Sequence, residues 1–250
     1  MPNLYDVEKV RAMHYDGTAH EKFHSHLTGG YLRDFVYGAN DGIITTFAVV
    51  AGVAGASLST KVVLIMSFAN LLADGFSMAM GNYLSGKSNH DYVKAERARE
   101  AWEVENLPTE ERAEIRELYS KKGFNGELLE RVVDVITSDK KQWVHEMMIG
   151  EHGLVVEEST DRLWKNAAVT FGAFVTAGLV PVLPYLWGGA AQVVFPYAIS
   201  ATALILFIVG SLRSLITERN WWLSGLEMLG VGALAAGAAY AVGSFLSQVV

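Results

Sequence analysis

The chain has 250 residues, of which 51% are hydrophobic, and its mean hydropathy is +0.22, which is high for a soluble protein. A net charge of −7 argues against nucleic-acid binding, because that function normally uses a basic surface. The sequence contains no cysteine, which excludes disulfides, thiolate metal ligands and cysteine nucleophiles.

The apolar residues are concentrated in five long stretches, at 35–60, 62–84, 167–187, 193–212 and 221–246. A helix of about 20 apolar residues crosses the ~30 Å hydrocarbon core of a bilayer. We therefore predict an all-α integral membrane protein with five transmembrane helices and a three- to four-helix module between helices 2 and 3. The predicted organisation is a polar N-terminal tail at 1–30, transmembrane helices 1 and 2 at 31–86, the module at 87–165 and transmembrane helices 3 to 5 at 166–250.

The positions of lysine and arginine predict the orientation in the membrane. If the N-terminus is cytoplasmic, every basic residue except Lys61 lies on the cytoplasmic side, including the whole module and Arg213 and Arg219. This distribution follows the positive-inside rule. The first 30 residues have no apolar h-region and no small-residue cleavage site, so we expect no signal peptide.

The N-terminal tail contains His14, His20, His24 and His26. His24 and His26 could chelate a metal ion if the tail is flexible, and the alternative is a surface segment with scattered histidines. Glu21 and His24 form one Glu-x-x-His motif. A di-iron carboxylate oxidase needs two such motifs and two further glutamates. The tail therefore gives little support to an oxidase.

The first predicted span carries an acidic residue and two glycines. If its helix begins near residues 34–35, Asp41 lies about two turns into the membrane. Gly38 and Gly42 then form a small-xxx-small pair, which permits close contact with another helix.

Polar side chains on the second span share one face of its helix. Asn70, Asp74, Ser77 and Met78 stand at i, i+4, i+7 and i+8, the spacing of a helical stripe. An ionisable residue within a span costs about 2.5–3.5 kcal/mol and usually marks an ion or proton pathway. The alternative is an interfacial position or, for Asp74, hydrogen bonding between helices. Carboxylates with the Met78 thioether suit a transition metal better than magnesium or calcium.

The module carries glutamates at helical spacing on two predicted helices, which are separated by a break at 107–109. They form two sets at i, i+4 and i+7: Glu96, Glu100 and Glu103, then Glu110, Glu114 and Glu117. One interpretation is a pair of solvated faces with local arginine partners. The other is a pair of acidic faces that repel each other unless cations bridge them. The residues alone leave both interpretations open.

A third constellation is the segment "HEMMIGEH" on the last predicted helix of the module. Met147 and Met148 stand one helical turn before Glu151, so the three could complete a mixed oxygen and sulfur site. Adjacent methionines on a helix are more often core residues. His145 and His152 flank this set and are interpreted as surface residues.

At these residues the chain resembles the vacuolar iron transporter family, over essentially residues 28–250. The resemblance rests on "DGIITTFAVVAGVAGA", "SMAMGNYL", the Glu-x-x-Glu pairs of the module, "MMIGE" and "LVPVLPY", in this order. It implies five spans, a homodimer and a cytoplasmic metal-binding module between spans 2 and 3. It also implies export of ferrous iron, and often manganese, from the cytoplasm in exchange for protons.

Carried over by position, the resemblance implies that Asp41 and Met78 line the transport pathway near the dimer interface. The implied metal ligands of the module are Glu100, Glu103, Glu114, Glu117, Met147, Met148 and Glu151. The pair Glu103 and Glu105 is an alternative to the pair Glu100 and Glu103. Plant-type members carry a glutamate at the position of Asn70. In this chain an acid, Asp74, stands one turn further along the helix. We therefore include Asn70 and Asp74 in the predicted pathway.

The sequence thus predicts a transporter of Fe²⁺ or Mn²⁺ rather than an enzyme, with no prosthetic group. The expected partners are a second copy of the chain, membrane lipid, transition-metal ions and protons, but no nucleic acid. The expected location is the inner membrane of a bacterium or the vacuolar membrane of a eukaryote. The alternatives are a membrane-bound ferroxidase and a metal-binding or storage protein without transport.

Overall fold

A computed structural model describes residues 26–154, 161–217 and 219–249, together with Glu8, Arg11 and Tyr15. Within these ranges the chain is helical and contains no strand. The predictions for His14, His20 and His24 lie outside the described residues, as does that for the side chain of His26. The last residues of the predicted module also include an undescribed stretch, at 155–160.

Ten α-helices and one short 3-10 turn are present in the described ranges. They are α1 His26–Gly55, α2 Thr60–Asn106, α3 Pro108–Lys121, α4 Gly126–Thr137, α5 Lys140–Gly150, α6 Asp161–Gly178, the 3-10 turn Val180–Val182, α7 Leu183–Leu186, α8 Ala191–Leu212, α9 Ser214–Thr217 and α10 Trp221–Val249.

Five helical segments are long and apolar enough to cross a membrane. They are Tyr31–Gly55, Thr60–Asn106, Asp161–Leu186, Ala191–Leu212 and Trp221–Val249. The prediction of an all-helical protein with five spans is thereby confirmed. The chain divides into two compact units, Leu84–Leu163 and the remainder, and α2 contributes residues to both. We call the first the helical unit and the second the membrane unit.

In the membrane unit, α1 packs closely against α6 through glycines. A Cβ atom added at Gly38 would overlap the backbone carbonyl of Thr170, and one added at Gly42 would overlap that of Phe174. The approach is reciprocal, since a Cβ atom at Gly178 would lie 2.7 Å from the carbonyl oxygen of Gly42. The predicted close contact at Gly38 and Gly42 is confirmed, and it brings the helix that carries Asp41 against α6.

The glycine-rich last span also packs against α1. A Cβ atom at Gly243 of α10 would overlap the carbonyl of Gly52, and one at Gly55 would overlap that of Tyr240. The small residues of α10 therefore serve contact within the chain at this point. Much of the rest of α10 is exposed, including Leu234 and Phe245.

The helical unit is built around one apolar cluster. Its buried members are Val93, Val104, Ile115, Leu129, Val133, Ile136, Trp143, Val144, Met147 and Met148. They come from α2, α3, α4 and α5, so the four helices are held by a shared core. Burying an apolar side chain of this size contributes about 1.5–3 kcal/mol.

Polar contacts fix the register of the small helices around that core. Arg116 of α3 donates two hydrogen bonds to Glu130 of α4, at 2.7 and 2.9 Å, and Arg112 pairs with Asp134 one turn along. Asp139 caps α5 by accepting from the backbone N–H of Lys141 at 2.7 Å, a bond that satisfies a free amide of the first turn. These contacts hold α3 against α4 and fix the start of α5.

Candidate functional site

Two buried glutamates on neighbouring helices form the centre of the candidate site. Glu100 of α2 and Glu111 of α3 are only 2% and 4% exposed. A single residue, Leu107, separates α2 from α3, so the chain returns at once alongside the glutamates of α2. Glu100, Glu103 and Glu111 each offer one oxygen, and these oxygens lie within 4.8 Å of one another.

A second group of donor atoms shares Glu100. An oxygen of Glu100, an oxygen of Glu151 and a ring nitrogen of His152 also lie within 4.8 Å of one another. Nε2 of His152 is 3.0 Å from Oε2 of Glu100. Glu151 and His152 directly follow α5, whose end is closed by the backbone N–H of Glu151 donating to Met147 O at 3.0 Å. We call Glu100, Glu103, Glu111, Glu114, Glu151 and His152 together the module cluster.

Two oxygens of the module cluster are buried without a hydrogen-bond partner among the described residues. They are Oε1 of Glu100 and Oε2 of Glu111. A buried polar atom left unpaired costs about 1–3 kcal/mol, and more when it is charged. A proton or a cation in this position would remove that cost.

The electrostatics of the module cluster favour the same conclusion. Burial, followed by the proximity of Glu100, raises the pKa of Glu111 to about 8. Burial also raises the pKa of Glu114, and the neighbouring carboxylate of Glu151 adds to the effect. A divalent ion bound among these carboxylates would offset their repulsion.

His152 stabilises a negative charge in the cluster. Its hydrogen bond with Glu100 raises the pKa of the His152 imidazole, and the carboxylate of Glu151 acts in the same direction. The side chain of His152 is 31% exposed, whereas that of Glu100 is 3% exposed. The expectation of surface positions for His145 and His152 is confirmed, and the ring of His152 also reaches from the surface to a buried carboxylate.

The two methionines of the predicted ligand set are core residues in this structure. Met147 and Met148 are 1% and 0% exposed and belong to the apolar cluster of the helical unit. They lie on α5, one turn before Glu151. Their role as thioether ligands stays a prediction.

Two other glutamates of the sequence prediction have partners of their own. Glu117 is paired with Lys121 at 2.7 Å and its side chain is 68% exposed. Glu105, the predicted alternative near Glu103, is paired with Lys140 at 2.7 Å. Among the described residues, neither group of close donor atoms includes them. Their roles as ligands stay predictions.

Glu111 is the residue that the sequence interpretation missed. The interpretation grouped Glu110, Glu114 and Glu117 by a spacing of i, i+4 and i+7. Glu111 stands i, i+3 from Glu114, the spacing of Glu100 and Glu103, but Glu117 has the same spacing, so burial and not spacing distinguishes Glu111.

In the membrane unit the structure brings two acidic residues of different spans together. Asp41 of α1 is half-buried, Asp74 of α2 is exposed, and the two carboxylates interact electrostatically. Met78 and Asn70 on α2 are half-buried. Nδ2 of Asn70 is buried without a hydrogen-bond partner among the described residues. Polar groups from the first two spans thus face a shared region within the apolar segments.

These features define the class of protein: an all-helical membrane protein with paired acids in its spans and a separate helical unit with buried carboxylates. Residues 32–244 match the model of the VIT family, and the chain belongs to that family. It is 37% identical to "Vacuolar iron transporter" of Toxoplasma gondii, over 99% of this chain and 86% of that protein. It is 31% identical to "Vacuolar iron transporter 2" of Oryza sativa, over 98% of both. The resemblance to vacuolar iron transporters is thereby confirmed.

Proposed function

We propose that this protein carries ferrous iron out of the cytoplasm across a membrane by proton antiport, with manganese as a second substrate. Relatives named as vacuolar iron transporters support metal-ion transport. The observation that carries the proposal is the module cluster, where Glu100 and Glu111 bury unpaired carboxylate oxygens in a chain with five candidate membrane spans.

The helical unit collects the metal in this proposal. Its ligands are the carboxylates of the module cluster with the thioethers of Met147 and Met148, and Glu117 is a further candidate from the sequence. Oxygen and sulfur donors together favour a transition metal over Mg²⁺ and Ca²⁺, which prefer oxygen alone. Repulsion among the carboxylates limits the affinity, so the bound ions can be released towards the membrane.

The pathway through the membrane uses Asp41, Asp74, Met78 and Asn70. Exposure of Asp74 supports this role, because a carboxylate facing lipid at the centre of a span costs about 2.5–3.5 kcal/mol. A second copy of the chain would cover the exposed carboxylate of Asp74 on α2. The proposed protein is therefore a homodimer with its pathway next to the interface.

Proton coupling follows from the chemistry of the paired acids. Two carboxylates in one low-dielectric region repel each other unless a cation or a proton neutralises one of them. Asp41 binds the metal together with Met78, and a proton replaces the metal after release. Asp74 supplies the second carboxylate of the pathway, since Asn70 cannot ionise.

The proposed orientation has the N-terminus and the module in the cytoplasm. It rests on the basic residues, which all lie on that side except Lys61. The membrane is the inner membrane if the protein is bacterial and the vacuolar membrane if it is eukaryotic. In this role the metal is substrate and module ligand, and no prosthetic group or nucleic acid takes part.

Metal flux into proteoliposomes under a pH gradient tests the proposal. Wild-type protein should move Fe²⁺ in exchange for protons, and Mn²⁺ and Zn²⁺ measured in parallel give its preference. Asp41→Asn should abolish the flux, whereas the control Asp91→Asn, which alters an exposed acid outside the module cluster, should not. Wild-type flux in Asp41→Asn would contradict the pathway.

The same preparation separates the alternative functions. A ferroxidase would consume oxygen when Fe²⁺ is added, and a storage protein would bind metal without flux. We infer a non-enzymatic role, because the family relatives are named as transporters. Oxygen consumption that depends on Glu100 or Glu111 would overturn this inference.

A further inference from the structure

We propose that His152 is a nitrogen ligand for metal ions bound in the helical unit, and that it shifts the metal preference of this site towards Fe²⁺ over Mn²⁺. This inference rests on the proposed metal-collecting function and adds a ligand to it. His152 lies outside the set of carboxylates and thioethers that the sequence predicts, and it joins that set only in the folded helical unit.

The geometry suits coordination by His152. Its ring nitrogen lies within 4.8 Å of oxygens of both Glu100 and Glu151, and 3.0 Å from the Glu100 oxygen. An ion with nitrogen and oxygen ligands at about 2.0–2.2 Å brings its donor atoms about 3–4 Å apart. Side-chain adjustments of about 1 Å would therefore place all three donors around one ion.

The unpaired oxygen of Glu100 is an independent sign of a ligand at this place. Oε2 of this buried side chain meets His152, while Oε1 has no hydrogen-bond partner among the described residues. The carboxylate thus offers a cation an oxygen beside the imidazole, in place of the proton that Glu100 shares with Glu111 in the metal-free protein.

The backbone after α5 holds His152 in position. The N–H of His152 donates to Met147 O at 3.3 Å, and the N–H of Leu154 donates to Met148 O at 2.8 Å. Gly153 has a φ of +65°, the left-handed conformation that ends many helices. Leu154 then packs on the apolar cluster of the helical unit. Because the turn is closed on both sides of His152, little conformational freedom is lost when the ring binds an ion.

The donor type decides the consequence for selectivity. Imidazole suits Fe²⁺, Zn²⁺, Cu²⁺ and Ni²⁺, whereas sites made of carboxylates suit Mn²⁺, Mg²⁺ and Ca²⁺. Apart from His152, the proposed ligands are carboxylate oxygens and the thioethers of Met147 and Met148, so His152 supplies the nitrogen donor of the set. His152 therefore raises the affinity for Fe²⁺ more than the affinity for Mn²⁺.

Metal competition with the full-length protein in detergent tests this inference. Affinities for Fe²⁺, under anaerobic conditions, and for Mn²⁺ are measured against a chromophoric chelator. In His152→Leu we expect the Fe²⁺ affinity to fall about tenfold or more and the Mn²⁺ affinity to change much less. Iron X-ray absorption should lose imidazole outer-shell scattering in the same variant.

Three controls keep the outcome interpretable. His145→Gln alters an exposed histidine of α5 and should leave both affinities unchanged. His152→Gln keeps a hydrogen-bond donor for Glu100 without the imidazole, so it should behave like His152→Leu in metal preference. Thermal unfolding of the metal-free variants reports any loss of fold.

The inference is overturned if His152→Leu keeps the wild-type ratio of Fe²⁺ to Mn²⁺ affinity, or if His152→Gln restores wild-type binding. Either result would leave the proposed collecting function intact, because wild-type protein would still bind metal. Absence of metal binding in wild-type protein would contradict the collecting function itself.

Discussion

Glu100 and Glu111 lie on different helices, and each buries a carboxylate oxygen without a hydrogen-bond partner among the described residues. Their proximity means that the metal-free helical unit must hold protons where a metal-loaded one would hold cations. Stability and metal affinity of this unit are therefore linked to pH through a small number of named groups.

The stability of the metal-free protein should fall with rising pH because of Glu111. Its pKa is about 8 in the folded chain, against an ordinary value of 4.5, so the folded state holds an extra proton between these values. The stabilisation that comes from this extra proton is fully present below about pH 4.5 and is lost as the pH rises through 8. With a chelator present, the thermal unfolding midpoint of Glu111→Gln should therefore rise relative to that of the wild type between pH 5 and pH 8. Parallel curves for the two proteins would contradict this; Glu110→Gln, an exposed neighbour, is the control.

Metal binding should distinguish Glu111 from Glu117. Glu111 belongs to a group of close donor atoms, whereas Glu117 is paired with Lys121. We expect Glu111→Gln to lower Fe²⁺ affinity at least about tenfold and Glu117→Gln to lower it less. Equilibrium competition with a chelator measures both. A larger loss in Glu117→Gln would favour the ligand set that the family resemblance implies.

Replacing Met148 by leucine should separate its packing role from its role as a ligand. Met148 is 0% exposed, and a swap of similar volume in a core usually costs less than about 1.5 kcal/mol. The fold should survive, while Fe²⁺ affinity falls because the thioether is lost. Ile149→Leu, at an exposed position on the same helix, is the control. Unchanged affinity in a folded Met148→Leu variant would make the residue a core residue only.

A methyl group at Gly42 should destabilise the membrane unit. The added Cβ atom would overlap the backbone carbonyl of Phe174, which cannot rotate away as a side chain could. We expect Gly42→Ala to cost about 1–3 kcal/mol, seen as a lower thermal midpoint in detergent. Gly172→Ala is the matched control, because no heavy atom lies within 4 Å of its added Cβ atom apart from chain neighbours and the backbone of its own helix. Equal midpoints for the two variants would contradict the close contact of α1 and α6.

The sequence alone identified the features that depend on local composition and spacing. Five apolar segments of sufficient length require five spans, because the bilayer sets the length of a crossing helix. Gly38 and Gly42 predicted close helix contact, since small residues one turn apart leave room for a neighbouring backbone. The order of its motifs was also enough to recognise the VIT family. Helical periodicity likewise placed Glu100 and Glu103 on one face of α2.

Tertiary structure decided which of the acidic residues come together. Periodicity gives the face of a helix but not what covers it, so Glu111 and Glu117 were equally eligible on α3. Packing of α2, α3, α4 and α5 around one core buries Glu111 and leaves Glu117 with Lys121. The same packing brings His152 from the end of α5 to Glu100, across 52 positions of sequence. Burial and proximity of this kind arise from contacts distant in the chain, and no local pattern in the sequence encodes them.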